Sequence, residues 1–366
     1  MKRILVDLGQ RSYPIYIHDN WNALFQKAFP CLNKGVSLNQ KKVLIITDEH
    51  VYGLYHHFVE ENLKSWGAEV HTAVVLPGEA SKSLQQAEEL YTTALEANLD
   101  RHSIIAALGG GVIGDLAGFI ASTYMRGIPF IQIPTSLLAQ VDSSVGGKVA
   151  VNHPLAKNVI GAFYQPECVL INVAVLKTLP GREFTSGMAE LIKHGIIRDQ
   201  DFLAWMEDHQ QAIAAQDPSI LAGAIHRSCE IKADVVKQDE RESGLRAILN
   251  FGHTIGHAIE AAFGYGTFTH GEAVSIGMAA EAHIAHLLGL VSAEYVSRIS
   301  ALLAAAGLPV TLPDVDNHLI LKWMQHDKKN VGNKIVFVLP TAPGQAAVFR
   351  DVKAEVILEA LNAVSC

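Results

Sequence analysis

His253 and His257 lie four residues apart in Phe251-Gly252-His253-Thr254-Ile255-Gly256-His257-Ala258-Ile259-Glu260, so helical spacing puts them on one face with Glu260 three further on. His270 follows in Thr269-His270-Gly271-Glu272, and upstream Glu190, Lys193 and His194 share a helical face within Ser186 to His194. A single histidine on a helix is usually a packed or surface residue. Three with a carboxylate, among small and apolar neighbours, have the nitrogen-and-oxygen composition of a catalytic zinc site, which keeps a position open for a reacting oxygen. Flanking glycines allow close packing around an ion. Spacing by itself nominates His253 and His257 as the metal pair.

A second group of residues suits phosphates. Leu108-Gly109-Gly110-Gly111-Val112-Ile113-Gly114-Asp115 follows an apolar run and opens a helical pattern, where glycines let backbone N–H groups and a helix N-terminus approach an anion. The spacing is not G-x-G-x-x-G, and such a run is also an ordinary tight turn. Asp48, ending the run Val43 to Thr47, can accept from a ribose or cap a helix. Val141 to Lys148, Lys157 to Gly161 and Arg126 supply cationic heads among glycines, a pocket for phosphate or carboxylate if they are not simply solvated.

These residues need rigid elements behind them. Val43 to Thr47, Val70 to Leu76, Ile104 to Leu108, Phe130 to Ile133 and Val169 to Val173 are short apolar runs alternating with helical patterns, which predicts a parallel sheet covered on both faces. Ile4 to Leu8 and Ile15 to Ile17 predict an opening hairpin, and Ser83 caps a predicted helix. After Thr178-Leu179-Pro180-Gly181 helical spacing dominates as far as about Ala306, and Lys334 to Leu339 with Ala346 to Val352 predict a late hairpin. The expected fold is an α/β nucleotide-binding domain with a parallel-type sheet over residues 1–178, then a mainly α-helical metal- and substrate-binding domain over 179–366.

Composition narrows the partners. Lys and Arg number 29 against 37 Asp and Glu, a net charge of −8, which disfavours a nucleic-acid coat. The longest charge-free stretches, such as Gly127 to Val141, reach 15 residues and that one carries two prolines, short of the roughly 20 that span a membrane. Asp7 interrupts the apolar start, and Cys31, Cys168, Cys229 and Cys366 form no C-x-x-C pair, so the expectation is a cytoplasmic chain with reduced thiols.

Taken together, Pro77 to Lys82, Gly109 to Asp115, Tyr124 to Gly127, Gln132 to Ser136, Val141 to Lys148, Lys157-Asn158, Gly187 to Lys193, Asn250 to Glu260 and His270 to Glu272 resemble the 3-dehydroquinate synthase family, in its order and over nearly the whole chain. The resemblance implies metal ligands at Glu190, His253 and His270, which displaces His257 from the spacing-based pair to the substrate side. It implies NAD contacts at Asp48, Gly78, Glu79, Lys82, Gly111, Val112, Ile113, Gly114, Asp115, Thr135, Ser136, Lys148, Lys157, Val175, Leu176, Lys177 and Thr178. Substrate contacts would be Arg126, Asp142, Lys148, Asn158, Lys193, Lys232, Arg246, Asn250, His257 and Lys328, the last chosen over Lys329. Ser136, His194 and His50 depart from common family residues.

What the resemblance implies chemically is conversion of 3-deoxy-D-arabino-heptulosonate 7-phosphate to 3-dehydroquinate and phosphate. The route is transient oxidation by NAD, phosphate elimination, re-reduction, ring opening and intramolecular aldol closure, with zinc or cobalt as the divalent metal. A homodimer is expected, Arg126 reaching the neighbouring subunit's site. The rival readings are another sugar-phosphate cyclase and a metal-dependent polyol dehydrogenase of related fold.

Overall fold

Along Val43, Leu44, Ile45 and Ile46 successive side chains enter opposite faces of a sheet, and all four are buried. Such a strand must be covered twice, which the computed structural model shows; it describes residues 1–33, 41–264, 266–325 and 335–365. The chain forms two compact units, Met1–Leu179 with Leu221–Lys237, and Pro180–Ile220 with Gln238–Cys366.

The first unit holds β1 (Lys2–Val6), β2 (Tyr13–His18), α1 (Trp21–Asn33), β3 (Lys42–Asp48), α2 (Glu49–Ser65), β4 (Glu69–Val75), α3 (Leu84–Glu96), β5 (Ile104–Gly109), α4 (Gly111–Thr123), β6 (Phe130–Pro134), β7 (Lys148–His153), β8 (Ala156–Phe163) and β9 (Cys168–Asn172). Seven strands make one sheet in the order β1-β2-β9-β6-β5-β3-β4, parallel except for the β1–β2 hairpin. One face packs on α1 and α2 through Leu24, Phe25, Val59 and Leu63, the other on α3 and α4 through Leu90, Leu116 and Ile120. The β7–β8 hairpin is a separate ribbon within the stretch read from sequence as polar loop. Val149 and Val151 face inward there, while glycines and lysines around them hide the alternation.

The second unit is built on α5 (Gly181–Arg198), α6 (Gln200–Asp208), α7 (Gln210–Ala214), α8 (Pro218–Gln238), α9 (His253–Phe263), α10 (His270–Leu287), α11 (Ala293–Ala305), α12 (Asn317–Gln325), the hairpin of β10 (Phe337–Ala342) and β11 (Gln345–Phe349), and α13 (Ala354–Val364). Most of α8, Leu221–Lys237, packs within the first unit. The late hairpin turns at Pro343-Gly344, so Pro340 and Thr341 are strand residues; Pro340 sits at a register shift of this two-stranded ribbon, where a missing N–H is tolerated. Lys334 lies outside the described residues. No described helix is long and apolar enough to cross a membrane.

Candidate metal centre and cofactor loops

Parallel strands end on the same edge of a sheet, and the expected dinucleotide residues collect there. Asp48 closes β3, Gly111 to Asp115 open α4 after β5, Thr135 and Ser136 follow β6, and Val175 to Thr178 follow β9. Asp48 also caps α2, accepting from His50 N and Val51 N at 3.0 Å each. The glycines serve close approach rather than unusual dihedrals: a Cβ on Gly114 would stand 2.7 Å from Gln132 Oε1. Tyr55 joins this edge, its hydroxyl donating to Val175 O at 3.2 Å and lying 2.5 Å from Thr178 Oγ1.

Past β4, Gly78 turns with φ 101° and Glu79 begins a short 3₁₀ turn leading to Lys82. Lys82 is buried and donates to Asp115 Oδ2 and to Asn158 Oδ1, both at 2.5 Å. Burial raises the Asp115 pKa against the pull of Lys82. Asn158 adopts a left-handed φ of 56° and donates its N–H to Asn152 Oδ1 at 2.9 Å, while Asn152 Nδ2 donates to Glu79 Oε1 at 2.7 Å. Asn152 therefore links an expected cofactor residue to an expected phosphate residue. Nothing in Val149-Ala150-Val151-Asn152 signals this in the sequence. Lys148 opens β7 on the surface, and Lys157 lies on β8.

Asp142 sits on a single π-helical turn, Ala139–Ser143, and Lys232 of α8 donates to its Oδ1 and carbonyl oxygen, each at 2.6 Å. Arg126 is exposed, and it and Met125 both hold left-handed backbone, φ 67° and 48°, a costly conformation for two adjacent side-chain-bearing residues.

In the second unit the histidines come together because helices meet at backbone. The N–H of Gly271 donates to Ser186 Oγ at 2.9 Å, and a Cβ on Gly271 would fall 2.0 Å from Ser186 O. This seats the start of α10 on α5 one turn before Glu190, and Arg182 reinforces it by a bidentate pair to Glu272 at 2.7 and 2.8 Å. Glu272 completes a capping box with Thr269, so His270 is the first residue of its helix. His253 is likewise the first residue of α9.

Glu190 is fully buried; Lys193 ion-pairs with its Oε2, yet neither carboxylate oxygen has hydrogen-bond geometry with any partner among the described residues. Nε2 of His253 and Nε2 of His270 each lie 3.8 Å from Glu190 Oε1, and one ligand atom from each of the three residues falls within 4.8 Å of the others. Atoms each about 2.1 Å from one ion can stand up to about 4.2 Å apart, so the two Glu190–histidine separations of 3.8 Å are compatible with a shared divalent cation. Both rings also have their Nδ1 beside an oxygen, His253 at 3.2 Å from Phe251 O and His270 at 3.8 Å from Glu260 Oε2. For His253 that contact is the outer support that presents Nε2 to a metal, while the Glu260 carboxylate gives His270 an electrostatic neighbour on the same side of its ring. Removal from water disfavours the His270 cation, but the Glu260 and Glu190 carboxylates prevail and raise its pKa. His257 groups instead with Glu260 and His270. No grouping among the described residues joins His253 to His257, the pair suggested by spacing.

Arg246 is buried on a 3₁₀ turn, Leu245–Asn250, and donates to Glu240 O at 2.5 Å. Asn250 Nδ2 donates to Glu242 Oε1 at 2.7 Å. Asp239, missed in the sequence, folds this loop by accepting from the N–H groups of Ser243, Gly244 and Arg246 at 2.7 to 3.0 Å. Lys328 lies outside the described residues.

Comparison with known proteins agrees with this chemistry. Family models described as 3-dehydroquinate synthase N-terminal and C-terminal match residues 72–186 and 187–330. A 3-dehydroquinate synthase of Desulforamulus reducens is 53% identical over 367 residues, covering 99% of this chain and 100% of its own. Among solved structures, 2-deoxy-scyllo-inosose synthase complexed with carbaglucose-6-phosphate, NAD+ and Co2+ is 27% identical with a TM-score of 0.88, over 99% of this chain and 100% of its own. The 2-epi-5-epi-valiolone synthase of Streptomyces hygroscopicus, with NAD+ and Zn2+ bound, is 27% identical with a TM-score of 0.87, over 98% of both chains.

Proposed function

Because this chain belongs to the 3-dehydroquinate synthase family and is an enzyme of that type, we propose that it converts 3-deoxy-D-arabino-heptulosonate 7-phosphate to 3-dehydroquinate and phosphate in the shikimate route to aromatic amino acids. The cofactors are NAD and a divalent metal, as in the solved relatives. The observation that carries the reading is the fully buried Glu190 carboxylate with two histidine Nε2 atoms at equal distance from one oxygen.

Glu190, His253 and His270 would hold the metal, which when bound supplies an electrophile for a substrate hydroxyl. Glu79, Lys82, Asp115 and the loops after β3, β5, β6 and β9 would hold the dinucleotide, a hydride acceptor that is regenerated each turnover. The chain's own residues then orient and stabilise charge. Lys82, Lys193, Lys232 and Arg246 are all buried in a chain of net charge −8. Sequestered cations are expensive: Lys82, Lys193 and Lys232 are offset by Asp115, Glu190 and Asp142, and a carboxylate-bearing substrate would give Lys232 and Arg246 an anionic partner. Lys148, Asn158, His257 and Arg126 are assigned to phosphate, Lys232 and Arg246 to carboxylate, and Asp142, Lys193 and Asn250 to the polyol. Loss of one charged hydrogen bond of this kind costs about 1.5 to 3 kcal/mol, or roughly 10- to 150-fold in rate or binding.

A homodimer and a cytoplasmic setting belong to the same proposal. The exposed, strained Met125-Arg126 turn suits a cation offered to a neighbouring subunit, and buried thiols at Cys168 and Cys229 suit a reducing compartment. Phosphate release from the heptulosonate phosphate, and none from an aldohexose 6-phosphate lacking the carboxylate, is the expected assay result. Equal release from both would overturn the substrate assignment.

A further inference from the structure

We propose that Glu281 is a positioning residue for the metal centre, capping from α10 the helix that begins at His253. The proposal rests on the reading of Glu190, His253 and His270 as ligands. Helix α9 starts after Gly252, whose left-handed φ of 80° and missing side chain leave it without a cap of its own. A capping box fills two donors, the N–H of the cap residue and that of the third helical residue. Here the fully buried Glu281 fills both, Oε2 accepting from Gly252 N at 2.6 Å and Oε1 from Ile255 N at 3.4 Å. His253 lies between those two anchors.

The backbone leaves no room for a capping side chain at position 252. A Cβ on Gly252 would stand 2.5 Å from Met278 Cγ and 2.6 Å from Val274 O, and a Cβ on Gly277 would fall 2.0 Å from Gly252 O. A serine or aspartate cap is therefore excluded at 252, and the acceptor comes instead from Glu281 on the facing helix. Glu281 stands one turn beyond Gly277 on α10, the helix that His270 opens. One helix thus supplies a ligand and sets the turn that aims the other histidine. A carboxylate at a helix N-terminus is favoured by the helix dipole, which offsets part of the cost of burying it.

The test is Co2+ titration of metal-stripped wild type, Glu281→Gln and His270→Ala, followed by the visible Co2+ spectrum, with melting temperature measured alongside. Glu281→Gln keeps the volume and loses the charge, so its Co2+ dissociation constant is expected to rise at least about 10-fold with an altered spectrum. Glu281→Asp, which keeps the charge, should recover part of the loss. A purely structural role would lower the melting temperature and leave the affinity of folded protein within about twofold of wild type, and that result overturns the proposal. If Glu281→Gln does not fold, Glu281→Asp is judged by the same affinity; failure of both to fold assigns Glu281 to the scaffold alone and also overturns it. Unchanged Co2+ binding by His270→Ala would instead sink the ligand assignment on which the proposal stands.

Discussion

Lys193 lies one helical turn beyond Glu190 on α5, and its buried ammonium touches Glu190 Oε2. Removing one partner of a buried pair strands the other charge, typically at a cost of about 3 to 5 kcal/mol. Lys193→Met should therefore be strongly destabilised in chelator, and much less so with saturating Zn2+ or Co2+, because the cation neutralises the same carboxylate. Denaturant unfolding with and without metal measures this. An equal deficit in both conditions contradicts the shared role of Glu190.

The histidines should separate by phenotype. His253→Ala and His270→Ala are expected to lose bound metal, whereas His257→Ala should retain it and lose roughly 10- to 150-fold in rate. Elemental analysis of the purified variants decides. Metal loss in all three would reinstate the pair that spacing alone favours.

Asn152 ties Glu79 to Asn158 and holds the latter in its left-handed conformation. Asn152→Ala is expected to weaken NAD+ binding and to raise the substrate KM, each by roughly 10-fold. Fluorescence titration and steady-state kinetics read the two effects, and no change in either would remove Asn152 from the account.

Asp239 gives the loop that carries Arg246 an acid sensitivity. Partial burial alone would raise its pKa, but hydrogen bonds from the N–H groups of Ser243, Arg246 and Gly244 and from the Ser243 hydroxyl hold it at about 2, below the ordinary 3.8. A depressed folded-state pKa stabilises fully above about pH 4, and that contribution is lost as pH falls through about 2. Asp239→Asn should be less stable than wild type near neutrality, with the gap narrowing across that acid window. A gap independent of pH would contradict the assignment.

The sheet of the first unit was legible because β3, β5 and β6 are buried on both faces, leaving runs of apolar and β-branched residues. The β7–β8 ribbon was not, since only part of its alternation survives among glycines and charged residues. The segment 221–237 reads as helix in any case, and periodicity does not say which unit it packs in. At the metal centre, spacing along α9 favours His253 with His257, whereas the grouping of Glu190, His253 and His270 depends on the contact of Gly271 with Ser186, a tertiary fact. That set was named through family resemblance. Glu281 is less visible still, because a glutamate in an alanine-rich helix reads as solvent-facing until the helix opposite proves to lack a cap.

The central claim is that NAD+ is reduced and restored within each turnover at a metal-dependent site. It is tested most directly by supplying the heptulosonate phosphate with a trace of NAD+ and following phosphate and NADH together. Phosphate should far exceed the NAD+ present, with no net NADH, and should stop on chelation and resume with Zn2+ or Co2+. NADH accumulating in step with product, or release indifferent to chelator, would contradict it.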